Sequence, residues 1–323
     1  MNETRSLETF TLIACLCVSS MAVAQTSTFP SKPIRLIMPF APGGSADNLG
    51  RTIQSALGDA LGQQIIIDNR PGASSVIGTN ITARSNPDGY TLLLITTTYT
   101  VNPSLMKSLP FDPVKDLAGV SLLVSQANIL AVHPSVPAKS VKELVELAKT
   151  KPLSFASGGT GSSPHLSGEL LNMVAGVRMT HVPYKGSGPG VSDLIGGHVQ
   201  LMFAGPLAFE QHIKAGRLRA LAVADKKRSN VLPDLPTMTE AGFPGVETGT
   251  WYALLAPAAT PRSVINKLNK AVVSVFDQPV IKQRMAAQGV EIIGSTPKEL
   301  DQHIRAEIGK WAKLVKAANI LSQ

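Results

Sequence analysis

The chain has 323 residues, two cysteines, 5% aromatic residues and 30 Lys+Arg against 22 Asp+Glu. Cys15 and Cys17 both fall in an N-terminal apolar stretch, so the rest of the chain has no disulfide, no thiolate nucleophile and no cysteine–zinc site. The basic excess is dispersed and poor in aromatic neighbours, which suits an anionic ligand and excludes a nucleic-acid surface.

Residues 1–24 read as an export signal. Arg5 lies in a short polar lead, and an apolar run from about Leu12 to Val23 is too short to span a bilayer. Ala22-Val23-Ala24 then supplies a small-x-small cleavage site, leaving Gln25 as the first mature residue. Leu12-Ile13-Ala14-Cys15 loosely matches a lipidation box. It ranks second, because most of the apolar stretch follows Cys15. Without Arg5, Glu3 and Glu8 the mature chain keeps 29 basic against 20 acidic residues. With no later stretch long and apolar enough to cross a membrane, the expected location is the periplasm or the exterior.

From there strand and helix patterns alternate. Ile34-Arg35-Leu36-Ile37-Met38 is β-rich and ends at the turn Pro39-Phe40-Ala41-Pro42-Gly43-Gly44-Ser45-Ala46-Asp47. Leu49, Ile53, Leu57 and Leu61 then keep a four-residue spacing, so one helical face is buried. Ile65-Ile66-Ile67 is a second strand, Val76, Ile77 and Ile81 mark a helix, and Tyr90 to Ile95 is a third strand. This order predicts a parallel, doubly wound sheet. A second such unit starts near Ile129-Leu130-Ala131-Val132, with a capping box at Ser140-Val141-Lys142-Glu143. Leu153 to Ala156 leads into Ser157-Gly158-Gly159-Thr160-Gly161-Ser162-Ser163, and Met179 to Val182 leads into Tyr184-Lys185-Gly186-Ser187-Gly188-Pro189. Val199 to Phe203, Leu218 to Ala224 and Trp251 to Leu255 are further strands. Beyond them the chain is mostly helical, with Thr260-Pro261 and Thr296-Pro297-Lys298-Glu299 as helix starts. The expected lobes are 28–127 with 253–323, and 128–252, joined by crossings near residues 127 and 252.

The three glycine-rich turns carry the functional reading. Each follows a strand and opens a helix, where backbone N–H groups lack partners and about half a positive charge accumulates. Several such ends aimed at one cleft make a receptor for a small anion. Asp47 has a competing role as a cap or brace of its own turn. Neither common phosphate loop is present, because no Gly-Lys-Ser/Thr follows and Gly159-Thr160-Gly161 runs into Pro164. A nucleophilic pair of His165 with Ser162 or Ser163 has poor geometry on one helix start, and the Gly-x-Ser-x-Gly elbow is missing. His165 is instead expected as a polar wall residue. Tyr184 can bury its ring against a ligand and donate its O–H, and Lys185 can pair with a carboxylate. The histidines show no metal-ligand spacing, and no cofactor is expected.

At these same residues the chain resembles the Bug family of extracytoplasmic solute receptors, the substrate-binding subunits of tripartite tricarboxylate transporters. The matching segments, in order, are Lys32 to Ile37, the Pro-Gly-Gly-x-x-Asp turn, Asp68-Asn69-Arg70-Pro71-Gly72-Ala73, Pro87-Asp88-Gly89-Tyr90-Thr91-Leu92, Ser157 to Leu166, Val182-Pro183-Tyr184-Lys185-Gly186 and Pro233-Asp234-Leu235-Pro236-Thr237. The resemblance implies an α/β type II periplasmic binding protein, two doubly wound lobes closing on a small carboxylate like a Venus flytrap. It implies a non-enzymatic, monomeric receptor that serves membrane permease subunits, with a sensor subunit of a two-component system as the alternative. Carried over by position, the ligand would meet Phe40, Ala41, Gly43, Gly44, Ser45 and Asp47, then Thr96, Thr97 and Thr98. From the opposite lobe it would meet Ser157, Gly158, Thr160, Gly161, Ser162, His165, Tyr184, Lys185 and Gly186. Where the family often has an acid or amide after the strand at Leu201-Met202-Phe203, this chain has Ala204-Gly205-Pro206. A less polar distal wall is the consequence expected.

Overall fold

The computed structural model describes residues 29–317. The export signal and the lipidation alternative lie outside the described residues.

From β1 (Ile34–Met38) the chain turns into α1 (Ser45–Leu61), returns as β2 (Ile65–Asn69), passes through α2 (Val76–Ala83) to β3 (Thr91–Thr96), and runs on into α3 (Thr98–Leu105). The three strands are parallel in the order β2-β1-β3. The four-residue spacing does what it predicts: Leu49, Ile53, Leu57 and Leu61 of α1 pack on Ile34, Leu36 and Met38 of β1. Gly62, in the left-handed region at φ 70°, ends the helix by returning its N–H to Asp59 and Gly58.

Next comes β4 (Leu117–Val132), a strand of 16 residues of which sequence patterning shows only the Ile129–Val132 end. It is followed by α4 (Val141–Thr150), β5 (Ser154–Ser157), α5 (Ser163–Ala175), β6 (Thr180–Pro183), α6 (Ser187–Ile195), β7 (Leu201–Ala204), α7 (Pro206–Lys214) and β8 (Arg219–Ala224). The chain then returns through β9 (Gly249–Pro257) and closes with α8 (Arg262–Asp277), α9 (Pro279–Ala287), β10 (Glu291–Ile292) and α10 (Pro297–Ala317).

Two sheets result, and β4 belongs to both. Up to Ala127 it pairs antiparallel with β9, which in turn pairs antiparallel with β3. From Asn128 onward it pairs antiparallel with β8, and from Ile129 with β7. Among the named strands parallel pairing is confined to β1–β3 and to β5–β7, so each lobe has a mixed sheet where a parallel one is expected. The physical reason is topological. Strands that cross between lobes re-enter the sheet from the opposite end and must run against their neighbours. The chain crosses within β4 at Ala127/Asn128 and returns at Thr248/Gly249, where Asn128 N–H donates to Thr248 O at 3.2 Å.

Each lobe has its own core. Leu268, Val272 and Phe276 of α8 join the α1–β1 cluster, while Leu300 and Ile304 of α10 join Ile95 and Tyr99. Leu144 and Val145 of α4 and Leu171 of α5 pack on Phe155, Leu201 and Phe203 in the second lobe. The capping boxes form as predicted: Ser140 Oγ accepts the Glu143 N–H at 3.2 Å, and Thr296 Oγ1 accepts the Glu299 N–H at 3.3 Å. No helix among the described residues is long and apolar enough to cross a membrane.

Candidate functional site

Between the lobes lies a cavity of about 50 Å³. A single water needs roughly 10–15 Å³ of such space, so the lobes are drawn together around a volume of only a few waters. Five helix N-termini meet at its wall: Ser45 begins α1, Thr98 begins α3, Ser163 begins α5, Ser187 begins α6, and Gly205 caps α7. No lysine, arginine or histidine is among the described lining residues, and the one charged side chain is Asp47. With no cationic side chain at the wall, what favours an anion there is the set of helix dipoles, each helix end contributing roughly half a charge.

Asp47 braces its own turn. Its Oδ2 accepts the Gly43 N–H at 3.0 Å and Arg51 Nε at 2.8 Å, and Asn69 Nδ2 donates to Oδ1 at 3.2 Å. Asn69 Nδ2 also reaches Phe40 O at 3.0 Å, so β2 is tied to both ends of the turn. Burial works against the charged form, but the bonds from Arg51, Gly43 and Asn69 together hold the Asp47 pKa below its ordinary value.

The first and third turns touch across the cleft. Ala41 N–H donates to Lys185 O at 2.7 Å, and Ser45 N–H donates to Ser187 Oγ at 3.2 Å. Here the glycines serve a purpose different from the one expected. A Cβ at Gly188 would overlap Pro42 O, one at Gly44 would overlap Ser187 Oγ, and one at Gly186 would lie 2.9 Å from Ala41 N. Three missing side chains admit the backbone of the opposite lobe.

The second turn is supported from beneath. Ser157 Oγ lies 2.6 Å from His181 Nε2, and it both accepts the Gly159 N–H and donates to Gly159 O at 3.1 Å. His165 Nδ1 accepts the Gly161 N–H at 3.1 Å, and its ring lies 4.0 Å from that of His181. The polar-wall role expected for His165 is thus replaced: the ring is buried under the turn, because the Gly161 N–H needs an acceptor there. Burial pushes His165 down to about 4, and burial together with the His165 ring pushes His181 down to about 3. Both imidazoles are neutral at pH 7. Ser162 Oγ accepts the His165 N–H at 3.4 Å and Ser163 Oγ donates to Gly249 O at 2.7 Å, so these hydroxyls hold backbone rather than pairing with an imidazole base.

Of the residues singled out from sequence, Phe40, Ala41, Gly44, Ser45, Asp47, Thr96, Thr98, Gly158, Ser162 and Gly186 line the cavity. Gly43, Thr97, Ser157, Thr160, Gly161, His165, Tyr184 and Lys185 do not. Gly43, Gly159 and Gly161 shape the turns through positive φ, and Thr97 Oγ1 accepts the Trp251 N–H at 3.3 Å. The Tyr184 O–H donates to Asp193 Oδ2 at 2.5 Å, which with burial raises its pKa to about 12, so that hydroxyl is occupied within its own lobe. Lys185 contributes its carbonyl to the cleft while its side chain is exposed. Ala204 and Gly205, expected at the distal wall, line the cavity too. Ala46, Ser163, Pro164, Ser187, Thr250 and Tyr252 also line it, and sequence reasoning did not assign them as ligand contacts. A usable signal existed for α7: Gly205-Pro206 places proline at the first helical position after a strand, the same cue as Thr260-Pro261. Thr250 and Tyr252 had none, since an alternating strand does not reveal which face meets a cleft.

Residues 49–320 match the model of TctC, the tripartite tricarboxylate transporter family receptor. Protein BugT of Bordetella pertussis (strain Tohama I) is 37% identical over 320 residues, which are 98% of this chain and 98% of BugT. The structure of the periplasmic binding protein BugD superposes with a TM-score of 0.88 at 34% identity, covering 91% of this chain and 100% of that one. R. palustris Rpa4515 with adipate gives 0.87 at 35% identity, covering 91% and 100%. MatC from Rhodopseudomonas palustris with bound malate gives 0.85 at 32% identity, covering 89% and 100%.

Proposed function

Because this chain belongs to the tripartite tricarboxylate transporter receptor family, we propose that it captures a small organic carboxylate in the cleft and delivers it to the membrane permease subunits of such a transporter. Family and fold are those of periplasmic, two-lobed solute-binding receptors. The observation that carries the carboxylate is the convergence of five helix N-termini on a cavity lined by no cationic side chain. Such a site favours an anion through fixed dipoles and N–H donors. The solved relatives with adipate and malate support the same chemistry. In this reading residues 1–24 direct export, the mature receptor is a monomer, and the ligand-contacting set is the cavity-lining residues named above.

Delivery requires that ligand bind the closed arrangement better than the open one, since a ligand shifts an equilibrium only by its differential affinity. The closed arrangement has its own cross-lobe bonds at Ala41–Lys185 and Ser45–Ser187, so the ligand must add to these. Calorimetric titration of ligand-stripped protein with malate, succinate, adipate and the uncharged diamide of succinate tests the reading. A dicarboxylate should bind and the diamide should not. Equal binding of acid and diamide would overturn it.

A further inference from the structure

We propose that the Tyr252 hydroxyl donates a hydrogen bond to the bound carboxylate, and that Gln126 is the positioning residue that fixes the hydroxyl in that role. The inference rests on the carboxylate reading above and deepens it. Tyr252 lies on β9 at the cavity wall and is only 2% exposed, so bulk water does not satisfy its hydroxyl. Gln126 Nε2 sits 2.6 Å from that hydroxyl.

The direction of this bond is set by a neighbour. Leu207 N–H, in the first turn of α7, points at Gln126 Oε1 at 3.4 Å. A backbone N–H can only donate, so the amide oxygen must face α7 and the NH₂ must face Tyr252. The NH₂ in turn can only donate, so the tyrosine oxygen accepts and its own proton is directed elsewhere. Ser45 Oγ at the start of α1 also bonds the Tyr252 oxygen, in the sense of a donor that favours the ionised phenol, so the recipient that remains is whatever fills the cavity.

Gly205 completes the arrangement. A Cβ at that position would overlap the Gln126 amide, so the residue after β7 has no side chain because one from β4 occupies its place. Gln126, from the strand that crosses between lobes, is not among the lining residues and fills the space behind Gly205. What reaches the cavity from this arrangement is the Tyr252 hydroxyl, which offers its proton. A ligand acceptor such as carboxylate oxygen fits against it, and an ammonium does not.

The test is a double-mutant cycle of Tyr252→Phe and Gln126→Met, read by calorimetry with whichever of malate, succinate and adipate binds wild-type protein most tightly. Loss of a hydrogen bond to a charged group should weaken binding about ten- to hundredfold in Tyr252→Phe. Gln126→Met should weaken binding in the wild-type background and have little further effect once Tyr252 is Phe. Losses that multiply would show that Gln126 acts without Tyr252. Should either variant fail to fold, protein carrying ¹³Cζ-tyrosine answers instead. The other three tyrosines are tied to Ser31, Pro113 and Asp193, so the resonance of Tyr252 alone should move when the acid is added. No movement at that resonance would overturn the proposal. If no acid binds wild-type protein, the carboxylate reading falls together with this one. If an acid binds and Tyr252→Phe keeps its affinity within twofold, only the tyrosine assignment falls.

Discussion

The turn between β1 and α1 and the turn between β5 and α5 deliver helix N-termini to one cavity, yet they are held by opposite chemistry. The first is braced by a carboxylate with three donors, and the partnering Arg51 side chain is 53% exposed. The second is braced by two neutral imidazoles, His165 buried and His181 half-buried, and a serine. Arg51 keeps its charge in water, so a buried Asp47 stays compensated. Beneath the second turn, where Glu169 Oε1 stands 3.8 Å from His165 Nε2, neutral imidazoles supply the hydrogen bonds at lower desolvation cost. A charged brace suits a turn at the rim, and a neutral one suits a turn set into its own lobe.

Blocking the contact between turns should have the largest effect. Gly188→Val places a side chain against Pro42 O and so opposes closure, while leaving the interior of each lobe untouched. Affinity for the bound acid should fall by roughly a hundredfold or more, with the melting temperature of ligand-free protein nearly unchanged. Unaltered affinity would mean that closure does not bring these turns together.

Removing the charged brace comes next. Asp47→Ala leaves Arg51 without its partner and the Gly43 N–H without its acceptor, and should cost about 2–3 kcal/mol in urea unfolding. A loss under about 0.5 kcal/mol would show that the turn holds itself.

Acid should separate the two turns. Both histidines have folded pKa values below the unfolded value of 6.5, so the unfolded chain binds more protons in between. Their stabilising contribution is complete above pH 6.5 and drains away as pH falls toward about 4 and 3. Asp47, also lowered, loses its contribution only as pH falls below 3.8. The second turn should therefore weaken first. The wild-type loss of unfolding free energy between pH 7 and pH 5 should shrink by about 1–2 kcal/mol in His181→Phe. An identical loss in both proteins would remove the histidine pair as the cause.

Lys185→Ala should do least, leaving affinity within about twofold, because the cleft receives the Lys185 carbonyl and the lysine side chain is exposed. A tenfold loss would return the ammonium to the site.

Much of this was legible in the chain. The spacing of Leu49, Ile53, Leu57 and Leu61 specifies a buried helical face wherever it occurs, and both capping boxes act over four residues. The three glycine-rich turns were legible for the same reason, since strand, glycine and helix start are local. β4 was not. Ser121, Ser125, Gln126 and Asn128 interrupt its apolar run and look like loop, but their partners are distant: Ser121 Oγ donates to Ser295 O, and Asn128 Nδ2 reaches Ser163, Ser167 and Thr248. Polar residues remain in a buried strand when another part of the fold satisfies them. Tyr184, His165 and Lys185 were drawn to the ligand by chemical type, while each had a nearer partner or open solvent.

By itself the sequence determined the local rhythm of strand and helix and the helix ends rich in glycine and hydroxyls. Those are properties of neighbours along the chain, where dihedral preference and periodic burial act. Which helix ends share a cavity, which glycines clear a path for the facing lobe, and which way the Tyr252 proton points were decided only in three dimensions. Each depends on groups that lie far apart in sequence and meet only after β4 and β9 have carried the chain across.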